Sequence, residues 1–407
     1  MKVIVFDLMP YGEDLSHLGT EGVGLPYPLG RQHFRPEVAV ATYREHLECW
    51  EEMDRLGFDG IGINEHHCSP YGLMNSPNLL AAAVAQRTNQ LKILIFGNLL
   101  PLHDPLRLAE ELAMLDCLSD GRIISGFARG IPREYNVFGV PMPESRARFE
   151  EAAEIIVRAW TEEVFSFDGR FWSYKDVAIW PRPVQQPHPP IWLPVTVSKE
   201  SIEWAAARNV PIATNGPRGL CEDIFSYYAS CLEANGTTLT ADHAITAADV
   251  YVADSKAQAL KELAPYRLYF SRMLFSHGNV TETKLQQASG YVSEQALDYV
   301  RPENRPLAAR NRSEYRNLTF EDLEAQADRA PWGPPEEVAA RLIAEADQLG
   351  TSTVLVSLNR GAMSKELFLE QIRRFGTEVL PILHAHEVAP GVKRAAPTAD
   401  SDLAFLQ

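Results

Sequence analysis

The chain has 407 residues, 45% hydrophobic and 23% charged, which is the composition of an ordinary soluble globular protein rather than a disordered or fibrous one. A formal net charge of −16 repels phosphate backbones and anionic lipid headgroups, and so argues against nucleic-acid and membrane partners. Five cysteines without a C-x-x-C pair argue against a disulfide framework and for a reducing cytoplasm; the apolar run at the N-terminus is broken too early, at Asp7, for a signal peptide.

Taken in order, Val3 to Leu8 reads as a buried strand, and Met9 to Pro36 as a long Gly- and Pro-rich connection expected to act as a substrate-facing flap. Glu37 to Leu56 has helical periodicity and ends at Gly57. Phe58 to Asn64 is a second strand, and Ser76 to Thr88 a helix with Ser76 as N-cap and Pro77 in its first turn. Leu91 to Phe96 and Arg122 to Phe127 are the third and fourth strands, separated by a helix from Pro105 to Leu118. A helix over Arg146 to Thr161 precedes an irregular excursion, Phe167 to Pro190, with room for a hairpin. Ile191 to Val195, Val210 to Thr214 and Ala244 to Val252 are further strands, separated by helices over Ser198 to Arg208 and Cys221 to Asn235. Lys256 to Phe275 is helical, His277 to Pro331 is polar and irregular, and Glu336 to Leu349 is a helix closed by Gly350. Thr353 to Leu358 is the eighth strand and Lys365 to Leu383 the last helix. Eight alternating strand–helix units favour a closed (β/α)₈ TIM barrel with long insertions after strand 1 and strand 7, in one domain over 1–386 followed by a poorly ordered tail over 387–407.

In such a barrel the residues after each strand meet at one mouth. Those residues are Glu65, His66 and His67 after the second strand, Gly97 and Asn98 after the third, and Arg129 and Gly130 after the fourth. Ser198 and Ser201 open the helix after the fifth. Adjacent residues at a strand end point to opposite faces, so His66 and His67 should do different work. An arginine beside glycine, and two serines at a helix N-terminus, together favour a phosphate pocket; singly, each is as well explained by an ion pair or an ordinary cap. A serine hydrolase is disfavoured because no G-x-S-x-G is present, and a metal site because adjacent histidines on one strand do not readily share an ion.

The ordered motifs Asn64-Glu65-His66-His67, Ser119-Asp120-Gly121-Arg122, Gly126-Phe127-Ala128-Arg129-Gly130, Val137-Phe138-Gly139 and Trp332-Gly333-Pro334-Pro335-Glu336 resemble the luciferase-like flavin monooxygenases, the family of bacterial luciferase. The resemblance implies a (β/α)₈ barrel, a homodimer and a two-component FMN-dependent monooxygenase. It would take reduced FMN (FMNH2) from a separate flavin reductase and, through a C4a-hydroperoxide formed with O2, oxygenate a small organic or natural-product substrate. Carried onto this chain, His66 matches the catalytic histidine, with Glu65 and His67 supporting it. Arg129 and Gly130, with Ser198 and Ser201, fall at the FMN phosphate. Phe96-Gly97 falls at an unusual peptide bond beneath the flavin ring, with Gly97 or Asn98 lining that face. An F420-dependent oxidoreductase or a non-catalytic flavin-binding relative are the alternatives within the superfamily. Ala128 replaces the reactive cysteine of the luciferases, and the two long insertions differ from theirs, which points away from a long-chain aldehyde and from light emission.

Overall fold

The β-branched runs form eight parallel strands that close on themselves: β1 Lys2–Phe6, β2 Gly60–Ile63, β3 Lys92–Leu99, β4 Ile123–Ala128, β5 Ile191–Pro194, β6 Ile212–Thr214, β7 Ala244–Asp249 and β8 Thr353–Ser357. Each pairs with its sequence neighbours, and β1 closes the ring on β8 with Val3 opposite Val354. The chain was described by a computed structural model, which covers residues 1–275, 297–305 and 316–388. Most of the expected tail over 387–407, and much of the second insertion, fall outside the described residues.

Strand period decides what fills each layer. Ile4 points inward with Leu94, Ile124, Ala213, Ile245 and Leu355 to pack the barrel centre. Val3, Val5, Ile61, Ile63, Ile93 and Ile95 face outward against the helices. Both strand faces are therefore apolar, which is why the strands read as continuous hydrophobic runs. The helices between strands include α1 Pro36–Leu56, α2 Pro77–Arg87, α3 Pro105–Ser119, α4 Pro132–Phe138, α5 Ser145–Thr161, α6 Lys199–Ala207, α7 Arg218–Ala234 and α8 Lys256–Tyr269. Gly57 closes α1 with φ +80°, as its place in the sequence demands. No helix among the described residues is long and apolar enough to cross a membrane.

Several expectations needed correction. Ser76 sits at the N-cap of α2 but its hydroxyl makes no capping bond. β3 runs past Phe96 to Leu99 through a cis Phe96–Gly97 peptide and a shift of register between Phe96 and Asn98. β7 stops at Asp249; Tyr251–Val252 leaves the barrel to pair with Trp332–Gly333. The excursion after α5 does hold a hairpin, Phe165–Asp168 with Ser173–Val177. α8 gives way after Tyr269 to a wider turn over Phe270–Phe275. The Met9–Pro36 connection packs beside the cavity rather than lining it, with the Arg133 guanidinium of α4 over the Tyr27 ring. Tyr11, Leu15 and Leu25 pack against Tyr269, Phe270 and Leu274, and none of residues 9–36 lines the mouth.

Candidate functional site

A cavity of about 1340 Å³ opens at the C-terminal ends of the strands. Glu65, His66, Gly97, Arg129, Gly130, Ser198 and Ser201 all line it, so residues spread over more than 130 positions of sequence meet at one mouth. Two of the sequence-derived candidates do not. His67 turns away: its Nε2 bonds Glu65 Oε1 at 2.9 Å and its ring stands edge-on to Phe138. Asn98 is buried with its side-chain amide donating to Asn78 Oδ1 at 3.1 Å, because the register shift after Phe96 aims it toward α2. Asn98 therefore does not line the cavity.

His66 Nδ1 lies 2.9 Å from Glu134 Oε1, and Glu134 is fully buried. The other oxygen of Glu134 accepts the Ile131 N–H at 2.8 Å. An ionised carboxylate only accepts, so Nδ1 carries a proton and Nε2 of the neutral ring is left with its lone pair. Tyr71 stands edge-on to the imidazole, 5.0 Å between ring centroids, and Asn75 donates to the His66 carbonyl. This is an imidazole of fixed orientation and fixed tautomer, able to take or give one proton.

Sequence proximity offers Glu134 as an acid partner for Arg129, but its place against His66 is not legible, because α4 has only seven residues and shows little periodicity. Its signals were present nonetheless: Pro132 in the first turn, Glu134 in the third helical place and Gly139 just past the end with φ +67°. Gly130, at φ +84°, lets the preceding loop turn onto α4; a Cβ there would stand 3.0 Å from Glu134 Oε2.

Glu65 has a different surrounding. Its carboxylate accepts from His103 Nε2 at 2.8 Å, His67 Nε2 at 2.9 Å and the Leu99 N–H at 3.0 Å. Burial by itself would raise its pKa, but the hydrogen bonds from His103 and His67 outweigh this and hold the carboxyl down at about 2. Burial would likewise lower the His103 pKa, and Glu65 reverses it, so the imidazole is held above its ordinary value. His103 follows the Leu100-Pro101 turn and was missed because nothing in its local pattern marks it as facing β2.

The serines at the start of α6 are bridged by a third group absent from the sequence reading. Arg146 Nη2 donates to Ser198 Oγ at 2.8 Å and to Ser201 Oγ at 3.1 Å. Arg129 reaches Ser145 Oγ at 3.5 Å, so two guanidiniums and several hydroxyls gather beside a helix N-terminus. Glu200 is also present, accepting from Ser198 at 2.9 Å and lying 3.9 Å from Arg146. Such a group can hold an oxyanion. Near it, Gly97 presents bare backbone to the cavity. A Cβ at Gly97 would fall 2.5 Å from the Gly126 carbonyl oxygen, so no side chain fits.

Residues 22–353 match the family model described as luciferase-like monooxygenase. Over 343 residues, 82% of this chain and 91% of the relative, the sequence is 25% identical to the alkanal monooxygenase alpha chain of Aliivibrio fischeri. It is 32% identical over 154 residues to the oxygenase component of the flavin-dependent trigonelline monooxygenase of Acinetobacter baylyi, covering 37% of this chain and 42% of that one. Among solved structures, monooxygenase RslO1 from Streptomyces bottropensis superposes with a TM-score of 0.67 at 27% identity, over 94% of this chain and 99% of its own. With the family match spanning most of the chain and the closed eight-stranded barrel beneath it, the chain belongs to the luciferase-like monooxygenases.

Proposed function

We propose that this flavin-dependent monooxygenase is the oxygenase component of a two-component system, taking reduced FMN from a separate reductase and oxygenating a small organic molecule with O2. The observation that carries the reading is that an imidazole backed by a buried carboxylate and an arginine–serine anion cradle open on one cavity large enough for a flavin and a second molecule. Reduced FMN supplies the electrons that activate O2; the chain's part is to bind, orient and keep water out. Arg129, Arg146, Ser198 and Ser201 would hold the phosphate, and Gly97 would offer bare backbone to the ring. His66 holds or accepts a proton at Nε2, and Glu65 and His67 brace the β2 end behind it.

Anaerobic titration with photoreduced FMN tests this. Wild-type protein should bind it saturably, and exposure to O2 should then reoxidise it at a rate different from that of free FMN. Arg146→Ala removes one charged donor shared by two hydroxyls and should weaken binding by roughly 10- to 100-fold, the scale of a lost hydrogen bond to a charged group. Binding of F420 with no uptake of reduced FMN would overturn the proposal in favour of hydride transfer.

Residues 1–386 form one catalytic domain in this reading, and two chains associate as a homodimer. Val40, Leu79, Met114 and Leu118 expose apolar side chains on the adjacent helices α1, α2 and α3. Sedimentation should give twice the 45.5 kDa of one chain; a single-chain mass would reject the dimer.

A further inference from the structure

The same cavity carries a charged group that the flavin-facing residues do not use. Asp249, the last residue of β7, pairs with Arg267 of α8 at 3.3 Å and with Arg360 from the loop after β8. All three side chains line the cavity and are mostly withdrawn from solvent. Arg360 spends one Nη on Asp249 and the other on the Asn359 carbonyl, and its buried Nε–H has no acceptor among the described residues. A buried guanidinium donor without an acceptor is costly, and it is the kind of group that a ligand completes. Burial draws Arg360 down to about 10, which leaves it charged at neutral pH.

What lies beside the pair indicates the body of that ligand. Phe270 sits under both guanidiniums, 5.2 Å from Arg360 and 5.9 Å from Arg267. Phe275 stacks on Phe270 at 6.0 Å, and Tyr71 touches both rings, at 5.7 and 6.2 Å. Tyr71 is also the ring against His66. An aromatic wall therefore runs from the arginines to the imidazole along one side of the cavity.

We propose that Arg360, held in place by Asp249 and flanked by Arg267, binds a carboxylate of the substrate, whose aromatic body lies along Phe270, Phe275 and Tyr71 with its far end toward His66. A carboxylate is acceptor-only, and one of its oxygens suits the Nε–H that Asp249 and the Asn359 carbonyl leave over. Which end reacts rests on the oxygenase reading; the binding of the acid does not.

Benzoate, phenylacetate and 3-phenylpropanoate, each beside its amide, are titrated calorimetrically into the flavin-free full chain. At least one acid should bind saturably and at least tenfold more tightly than its amide. Arg360→Gln should abolish that preference, and Arg360→Lys should restore part of it. If Arg360→Gln does not melt cooperatively, Arg267→Gln is read in its place, with the preference reduced at least threefold. Equal binding of acids and amides, no binding of any acid at millimolar concentration, or a preference that survives the substitution would each overturn the proposal. Failure of reduced FMN to bind would leave this titration standing, and a failed titration would leave the flavin result standing.

Discussion

Replacing His66 with alanine should lower turnover with reduced FMN by about 10²- to 10⁴-fold, the range that a positioned proton donor or acceptor contributes. The melting temperature should fall as well, because the buried Glu134 carboxylate loses its imidazole partner, so turnover is compared at a temperature where the variant is fully folded. Glu134→Gln separates the imidazole from its support. The amide still fills the space but no longer demands a proton on Nδ1, so both tautomers of His66 become populated. Turnover should fall less than in His66→Ala, about 10-fold, with the affinity for reduced FMN unchanged. That split identifies Glu134 as a positioning residue. A purely structural role, through the bond to the Ile131 N–H, would lower the melting temperature and the flavin affinity together. Full turnover in His66→Ala would remove the imidazole from the mechanism.

The barrel was legible because its strands are buried on both faces and so stand out as apolar runs between amphipathic helices. Gly57 and Gly350 mark helix ends by the left-handed backbone they adopt, and both fall where the pattern places them. The strand ends then named Glu65, His66, Gly97, Arg129 and the two serines, all of which share the cavity. What escaped has two physical causes. Glu134, His103 and Arg146 act through side-chain contacts between segments far apart in sequence, and no local period encodes such a contact. Asn98 failed for the opposite reason. Alternation along an unbroken strand gives its direction, and the irregularity at Phe96–Gly97 resets that alternation by one residue. The Met9–Pro36 segment is expected to face the substrate, but composition does not say which side of a wall its aromatics occupy.

Glu65→Gln should be the most destabilising polar substitution at the mouth, on the order of 3 kcal/mol near pH 6, since it leaves two imidazoles facing an amide in place of a buried carboxylate. The pH dependence distinguishes this from loss of packing. Glu65 titrates lower in the folded protein than in the unfolded chain, so its contribution is complete above the ordinary glutamate value of about 4.3 and is lost as pH falls toward about 2. His103 titrates higher when folded, so its contribution is complete below about 6.5 and is lost as pH rises through its raised value. The two together are at full strength only between about pH 4.5 and 6.5, and each limb belongs to one residue. Urea unfolding of wild type should therefore show stability declining on both sides of that window from this pair. In Glu65→Gln the acid-side decline should shrink by most of its deficit at pH 6, and the alkaline-side decline from His103 should vanish because the group that raised its pKa is absent. A variant parallel to wild type at every pH, displaced by a constant amount, would mean that Glu65 contributes shape alone. The β2 end that carries His66 would then owe its position to packing rather than to charge.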